Sequence, residues 1–139
     1  MASVWFAKGL QHLLQGDVTG GLDGATIKAV ALTAAYTMDQ TDEVLGDLGT
    51  VEATSEALTS SALTIGASNE VKWGADTVSF VSVPAGTAIS QIVYYWESGV
   101  AGTKFLLVKD DLAAPVTPDG SNINVSHNAD GIAKITQPA

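Results

Sequence analysis

Two histidines, His12 and His127, are the only imidazoles in the chain, and they lie far apart in sequence. A catalytic triad or a histidine-based metal site needs several such groups to converge. His12 falls on the polar side of a predicted helix and His127 flanks a predicted turn. Cysteine is absent, which removes thiolate nucleophiles, thiolate metal ligands and disulfides. We therefore predict a protein that is not an enzyme and has no catalytic, cofactor-binding or metal-binding residues.

Four carboxylates lie close together in the segment 39–47, namely Asp39, Asp42, Glu43 and Asp47. Oxygen-rich clusters can hold calcium, but this one lacks the spacing and the glycine of an EF-hand loop. Thr41 can cap a short helix over 41–48, and negative charge in a first helical turn complements the helix dipole. A solvated helix start is the favoured interpretation, with a cation site as the alternative.

Three tryptophans, Trp5, Trp73 and Trp96, could form a platform for a carbohydrate. Large aromatic side chains also fill cores and interfaces. Two of the three lie in segments that we expect to pack, so the sequence favours a core or interface role. A carbohydrate-binding module stays open as an alternative.

The charge of the chain argues against nucleic acid as a partner. The formal net charge is −9, and all six basic residues are lysines. Arginine, the usual bidentate reader of phosphate and guanine, is missing. No apolar run reaches 18 residues, so we predict no membrane span, and the N-terminal residues do not indicate a signal peptide.

The chain is organised around a predicted central strand, residues 25–33, that follows an Asp-Gly turn signal. One face carries Ile27, Ala29 and Ala31, and the other carries Lys28, Val30 and Leu32. A strand that is apolar on both faces is covered on both faces. This pattern predicts a sandwich, or a sheet beneath a helix.

A helix over residues 3–16 precedes this strand, with Ser3 as N-cap and Gly16 as the left-handed C-terminal residue. Its apolar stripe is Phe6, Leu10, Leu13 and Leu14. Gly9 inside the pattern costs about 1 kcal/mol relative to alanine. The glycine-rich loop 17–24 lacks the Gly-Lys-Ser/Thr of a phosphate loop, so we interpret it as a flexible turn.

Further strands are predicted at 58–65, 77–83, 89–96, 104–108, 121–126 and 132–136. In the strand 89–96, Ile89, Val93 and Tyr95 should share one face, and Ile92, Tyr94 and Trp96 the other. The intervening segments 110–119 and 127–131 are interpreted as a linker loop and a tight turn. Six or seven strands and one helix predict a single domain, 1–139, of mainly β class, a β-sandwich or barrel-like fold. The predicted core is Phe6, Leu10, Leu13, Ile27, Val30, Phe80, Val93, Leu107 and Val125.

Seven short motifs occur in order along most of the chain. They are Phe6, Lys8, Leu13, Leu14 and Gly16, then residues 26–32, 36–39, 42–45, 75–80, 92–95 and 128–132. In this order the motifs resemble small virion structural proteins of tailed bacteriophages, of the capsid decoration (cement) type. The chain departs from that pattern in the segment 51–70, and at residues 96–99, where the family has a Lys-Asp-Thr-Gly sequence after the strand.

The resemblance implies a non-enzymatic protein of the phage virion, assembled in the host cytoplasm. Its partners would be the major capsid protein or other virion proteins, and further copies of itself, with no nucleic acid and no membrane. A cement protein that binds the outer lattice is the first hypothesis. A tail, neck or fibre component is the alternative, and a host-surface carbohydrate-binding module is a third. We predict Trp5, Leu58, Leu63 and Trp73 as interface residues, since the segment 51–70 is low in charge and large aromatics concentrate at interface centres.

Overall fold

The computed structural model describes residues 3–67, 69–127 and 130–136. It is mainly β, as predicted. The elements in chain order are β1 (Ser3–Trp5), α1 (Ala7–Gln15), α2 (Gly21–Gly24), β2 (Ile27–Thr33), β3 (Ala53–Thr54), β4 (Ala62–Ile65), β5 (Glu70–Gly74), β6 (Val78–Phe80), β7 (Ile89–Trp96), β8 (Leu106–Val116), β9 (Ile123–Val125) and β10 (Ala133–Thr136). Short 3₁₀ turns occur at Leu45–Leu48 and Ala101–Thr103.

The strands form three antiparallel sheets. The largest has the order β1-β8-β7-β2-β3, the second has the order β10-β5-β4, and the third pairs β6 with β9. No described helix is long and apolar enough to cross a membrane.

The five-stranded sheet is buried on both faces, as the alternation in β2 predicts. Ile27, Ala29 and Ala31 pack on one side with side chains of the two smaller sheets, including Trp73 and Phe80. The other side carries a second cluster, formed by Phe6, Val30, Leu32, Leu48, Val93, Tyr95 and Leu106. The two smaller sheets therefore cover one face of the five-stranded sheet, as in a sandwich. The segment between β2 and β3 covers part of the other face.

The predicted core is buried at seven of its nine positions, and Leu10 and Leu13 are half-buried. The strand β7 has the predicted bounds, but the predicted face of Ile89 is wrong. Strand β7 has one extra residue relative to β2, because Leu32 pairs with Gln91 and Thr33 pairs with Ile89. This bulge places Ile89 in the cluster of Ile92 and Tyr94, since one extra residue reverses the alternation.

The N-terminus differs from the predicted helix 3–16. Ser3 is not an N-cap, because residues Ser3–Trp5 pair with β8 and the helix begins only after Phe6. Phe6 is fully buried, so tertiary packing overrides the local capping signal. The predicted end is confirmed, since Gly16 has a φ of 83° at the C-cap. Leu14 is not part of the buried stripe and is exposed.

The predicted linker 110–119 is wrong over most of its length, because β8 continues to Val116. Its last residues, including Pro115, are largely exposed, and proline is tolerated at such an exposed strand end. The glycine-rich loop 17–24 contains the short helix α2 rather than a turn alone.

Thr41 is not a helix cap, since its backbone N–H and hydroxyl both donate to Asp39. Only a 3₁₀ turn forms in this segment.

The remaining predicted strands are present with shorter bounds. The strands predicted at 58–65 and 77–83 are reduced to β4 and β6, and those at 121–126 and 132–136 are β9 and β10. The predicted turn 127–131 lies partly outside the described residues.

Candidate functional site

An apolar groove lies between α1, α2 and the sheet β10-β5-β4. Its volume is about 230 Å³. It is lined by Trp5, Leu10, Leu13, Leu14, Gly21, Leu22, Leu63, Val71, Trp73 and Ile135. None of these side chains is charged, so the groove suits an apolar ligand or protein surface and not an ionic substrate.

The strand alternation of the small sheet builds one wall of the groove. The register aligns Leu63 with Trp73 and Ala133, and Ile65 with Val71 and Ile135. Side chains that are directly opposite in antiparallel strands share a face, so these six apolar residues lie on one face. Thr64, Lys72 and Lys134 are aligned in the same way and lie on the other face.

The apolar face of this sheet is only partly covered by the rest of the molecule. Trp73 and Ala133 are 1% and 3% exposed and join the core. One row further along the strands, Ile65 is 81% exposed and Ile135 is 39% exposed. Leu14 of α1, across the groove, is 81% exposed. The apolar face thus extends past the core into solvent, which is the usual sign of an interaction surface.

An aromatic pair forms the floor of the groove. The rings of Trp5 and Trp73 stack with their centroids 6.2 Å apart, and Trp73 meets Tyr94 edge-on at 5.7 Å. Trp73 Nε1 donates a hydrogen bond of 2.8 Å to Ser61 Oγ. Trp5 Nε1 is buried and has no acceptor among the described residues. An unpaired buried donor costs stability, so this tryptophan is less well accommodated than its neighbour.

The structure brings together three of the four residues predicted as an interface. Trp5, Leu63 and Trp73 all line the groove, although Trp73 is so deeply buried that it offers almost no surface to a partner. Leu58 does not line it. The Leu58 N–H donates to the Ile27 carbonyl at 2.8 Å, and its side chain packs on the core. Sequence reasoning missed Leu14, Val71 and Ile135, because their shared surface depends on strand register.

The tryptophans do not form an exposed platform. Trp73 is in the core, and Trp5 and Trp96 are partly buried side chains that pack against it. Trp96 contacts Phe105 rather than the other two indoles. A sugar-binding surface built from stacked tryptophans has no support in this arrangement.

The opposite face of the small sheet is polar and holds a network of ion pairs. Lys134 Nζ is 3.2 Å from Glu70 Oε1 and 3.6 Å from Asp130 Oδ1. Lys72 Nζ lies 3.7 Å from Glu70 Oε2 and 3.6 Å from the same Asp130 oxygen. Surface pairs of this kind contribute little stability, but these two lysines and two carboxylates balance in charge.

His12 lies in a cluster of ion pairs with two carboxylates. Its ring stacks on Phe105 at 3.6 Å. Nδ1 is 2.7 Å from Asp17 Oδ2, and Nε2 is 2.8 Å from Glu43 Oε1. Burial lowers the pKa of His12, but the hydrogen bonds and charges of the two carboxylates outweigh it and raise the pKa above 6.5. The ring separates the two carboxylates, so they cannot share one metal ion.

The other acidic residues of the segment 39–47 are each used locally. The Asp39 carboxylate accepts from Thr41, Asp42 accepts from the Tyr36 hydroxyl at 2.6 Å, and Asp47 accepts from the backbone N–H groups of Glu43 and Val44. The backbone donors lower the pKa of Asp47 and, with the Thr41 hydroxyl, that of Asp39. In the described part of the chain, no three His, Asp or Glu side chains are placed to hold a metal.

Two titratable groups lie near Tyr94, the buried Asp110 and the half-buried His127. His127 Nε2 lies 2.8 Å from the Tyr94 hydroxyl, and burial lowers the pKa of His127. Asp110 is 1% exposed. Neither of its carboxylate oxygens has a hydrogen-bond donor among residues 3–67, 69–127 and 130–136. Burial raises its pKa to about 6.

The comparisons with known proteins give no matching family model, no matching curated protein and no matching solved structure.

Proposed function

We propose that the protein is a non-enzymatic structural protein of a bacteriophage particle, specifically a capsid decoration protein that binds and stabilises the outer lattice. The observation that carries the proposal is the apolar face of the sheet β10-β5-β4, which extends beyond the core beside an equally exposed Leu14. Such a surface is covered when the protein assembles with a partner. The phage assignment comes from the ordered sequence motifs.

The charge distribution supports a role on the outside of a particle. A net charge of −9 repels the phosphate backbone of packaged DNA. The groove itself carries no charge, so a partner can dock there without desolvating ionised groups. Burial of uncharged apolar surface is the term that drives most protein association.

Polar substitutions in the groove test this proposal. The double variant Leu14→Gln, Leu63→Thr should bind undecorated capsids at least tenfold more weakly, a loss of about 1.4 kcal/mol. Both side chains are exposed, and the new residues suit a helix and a strand respectively. The fold should therefore stay intact, as circular dichroism and thermal unfolding would verify. Co-sedimentation of the purified protein with capsids measures the affinity.

Val100→Thr provides the matched control, because Val100 is 61% exposed and does not line the groove. It should bind capsids like the wild type. Equal binding by the double variant would remove the groove as the docking site. Failure of the wild type to bind any capsid would remove the cement role. If the copy number corresponds to one ring per particle and not to the whole lattice, a neck or tail role would replace the cement role.

A further inference from the structure

Strand β4 forms a free edge of the small sheet. It pairs with β5 on one side only. Along its other side, no backbone group of Ala62–Ile65 has a hydrogen-bond partner among the described residues. All four of its residues are exposed. The strand contains no charge and no proline, which are two of the devices that prevent edge strands from pairing with another chain.

The pairing with β5 determines which backbone groups point outward. The Gly66 N–H donates to the Glu70 carbonyl at 2.9 Å, so this pair is of the hydrogen-bonded type. Such pairs alternate along antiparallel strands, which makes Thr64 and Lys72 the next hydrogen-bonded pair. The N–H and C=O groups of Leu63 and Ile65 therefore face away from β5, toward the free edge.

The surroundings of this edge favour a second copy of the same chain. Two molecules of charge −9 repel each other over most of their surfaces, but residues 57–69 hold no charged side chain. The outer face beside β4 carries charges of both signs, with Lys72 and Lys134 against Glu70 and Asp130 in the ion-pair network and Asp76 near Ala62 and Thr64. Two copies that approach along β4 therefore meet at a segment that has no charge of its own.

We propose that β4 pairs in antiparallel fashion with β4 of a second copy, about a two-fold axis at Thr64, and so joins two small sheets into one of six strands. In this register Leu63 lies opposite Ile65 of the other copy, and each such pair exchanges two backbone hydrogen bonds. Thr64 lies opposite its own counterpart. Residues 63 and 65 supply the outward-facing groups that this pairing requires, and their side chains continue the same apolar face across the axis.

The inference extends the proposed function to contacts between copies, but it needs no phage particle. The paired segment is short, and it buries less than the roughly 800 Å² per partner of a standard stable interface. We therefore expect a weak dimer in dilute solution. On a lattice, where neighbouring copies are held at high local concentration, the same contact becomes effective.

Single-cysteine variants test the register, because the chain has no cysteine of its own. Thr64→Cys places two thiols directly opposite each other at a non-hydrogen-bonded pair, a separation that a disulfide can span. Ala62→Cys lies on the same face of the same exposed strand, but its two copies would be on the order of 14 Å apart, at about 3.4 Å per residue. Thr54→Cys places a thiol on β3, the exposed edge strand of the other sheet.

Air oxidation of each purified variant, followed on non-reducing gels, should give Thr64→Cys dimers at least tenfold faster than either control. Equal rates for all three variants would overturn the proposal, since random collision would then explain the cross-link. Sedimentation equilibrium of the cysteine-free protein is the second measurement. Its weak dimerisation should disappear in Ile65→Lys and persist in Val100→Lys. A protein that is monomeric at every concentration would overturn the second copy as the partner, while leaving capsid binding through the groove to its own test.

Discussion

Asp110 is an ionisable residue that is buried without a hydrogen-bond donor for its carboxylate among the described residues. It lies on β8 opposite Ser3 of β1 and Ile92 of β7, within the sheet. The Ser3 hydroxyl donates to the Ile132 carbonyl at 2.6 Å instead of to the carboxylate. An ionised carboxylate without a partner is costly to bury. The pairing of β8 with β1 and β7 therefore has to offset the free-energy cost of burying this charge.

Replacing Asp110 by asparagine should stabilise the protein in a pH-dependent way. The folded state raises the pKa of Asp110 from 3.8 to about 6. The penalty is therefore close to its full size well above pH 6, shrinks as pH falls, and vanishes only well below pH 3.8. Asp110→Asn should raise the free energy of unfolding by about 2–3 kcal/mol at pH 8 and by about 0.5 kcal/mol at pH 4. Urea denaturation at both pH values measures the difference.

Glu56→Gln is the control for this prediction, since Glu56 is exposed and its removal changes the net charge by the same amount. Its effect on stability should be small and nearly independent of pH. A gain for Asp110→Asn that is equal at pH 4 and pH 8 would show that the buried charge is not its cause.

Helix α1 is positioned by a close approach to β8. A Cβ atom added at Gly9 would lie only 1.7 Å from the carbonyl oxygen of Leu106 and 3.2 Å from the Cα of Leu107. Both are backbone atoms, which cannot rotate away. The glycine that weakens the helix in isolation is the residue that lets the helix pack on the sheet. This close packing of α1 on β8 also places Leu10, Leu13 and Leu14 in the wall of the groove.

Gly9→Ala should therefore destabilise the protein, although alanine is the better helix former. We expect a loss of at least about 2 kcal/mol, because the helix must move away from β8 and disturb the packing around it. Gly46→Ala is the matched control, with no atom within 4 Å of the added methyl group. Chemical denaturation of both variants measures the effect. Equal stability of Gly9→Ala and the wild type would show that α1 does not sit this close to the sheet.

The whole molecule combines a high negative charge with a large apolar fraction. Its 15 acidic and 6 basic residues repel each other more than they attract. Self-repulsion of this kind opposes both the compact state and the approach of a second copy. The groove and the β4 edge are uncharged parts of this acidic surface.

Salt should consequently strengthen the folded state. Raising NaCl from about 0.02 M to 0.3 M shortens the Debye length well below the size of the molecule. The midpoint of thermal unfolding should rise as repulsion among the carboxylates is screened. The double variant Glu52→Gln, Glu56→Gln, which lowers the charge to −7, should respond less steeply. A midpoint that falls with added salt would mean that the attractive ion pairs of the lysines outweigh the general repulsion.

The local pattern of the sequence predicted the core strands well. Three features could be predicted, namely the alternation in β2, the bounds of β7, and the inward-facing Ile123 and Val125 of β9. Successive side chains of a strand point to opposite faces, so the order of apolar and polar residues shows which face is buried. The role of Gly16 at the end of α1 could also be predicted from local sequence, since a left-handed C-cap depends on one residue. The absence of cysteine and arginine limited the possible chemistry without any structure.

Tertiary structure decided everything that depends on partners distant in the chain. Ser3–Trp5 became a strand because β8, more than a hundred residues later, offered an edge that outweighed the capping signal. His12 acquired Glu43 as a partner in the same way. The groove exists only because β4, β5 and β10 meet in one register, which aligns Ile65, Val71 and Ile135. Local propensity carries no information about which strands pair, since that choice is made by the packing of the whole chain.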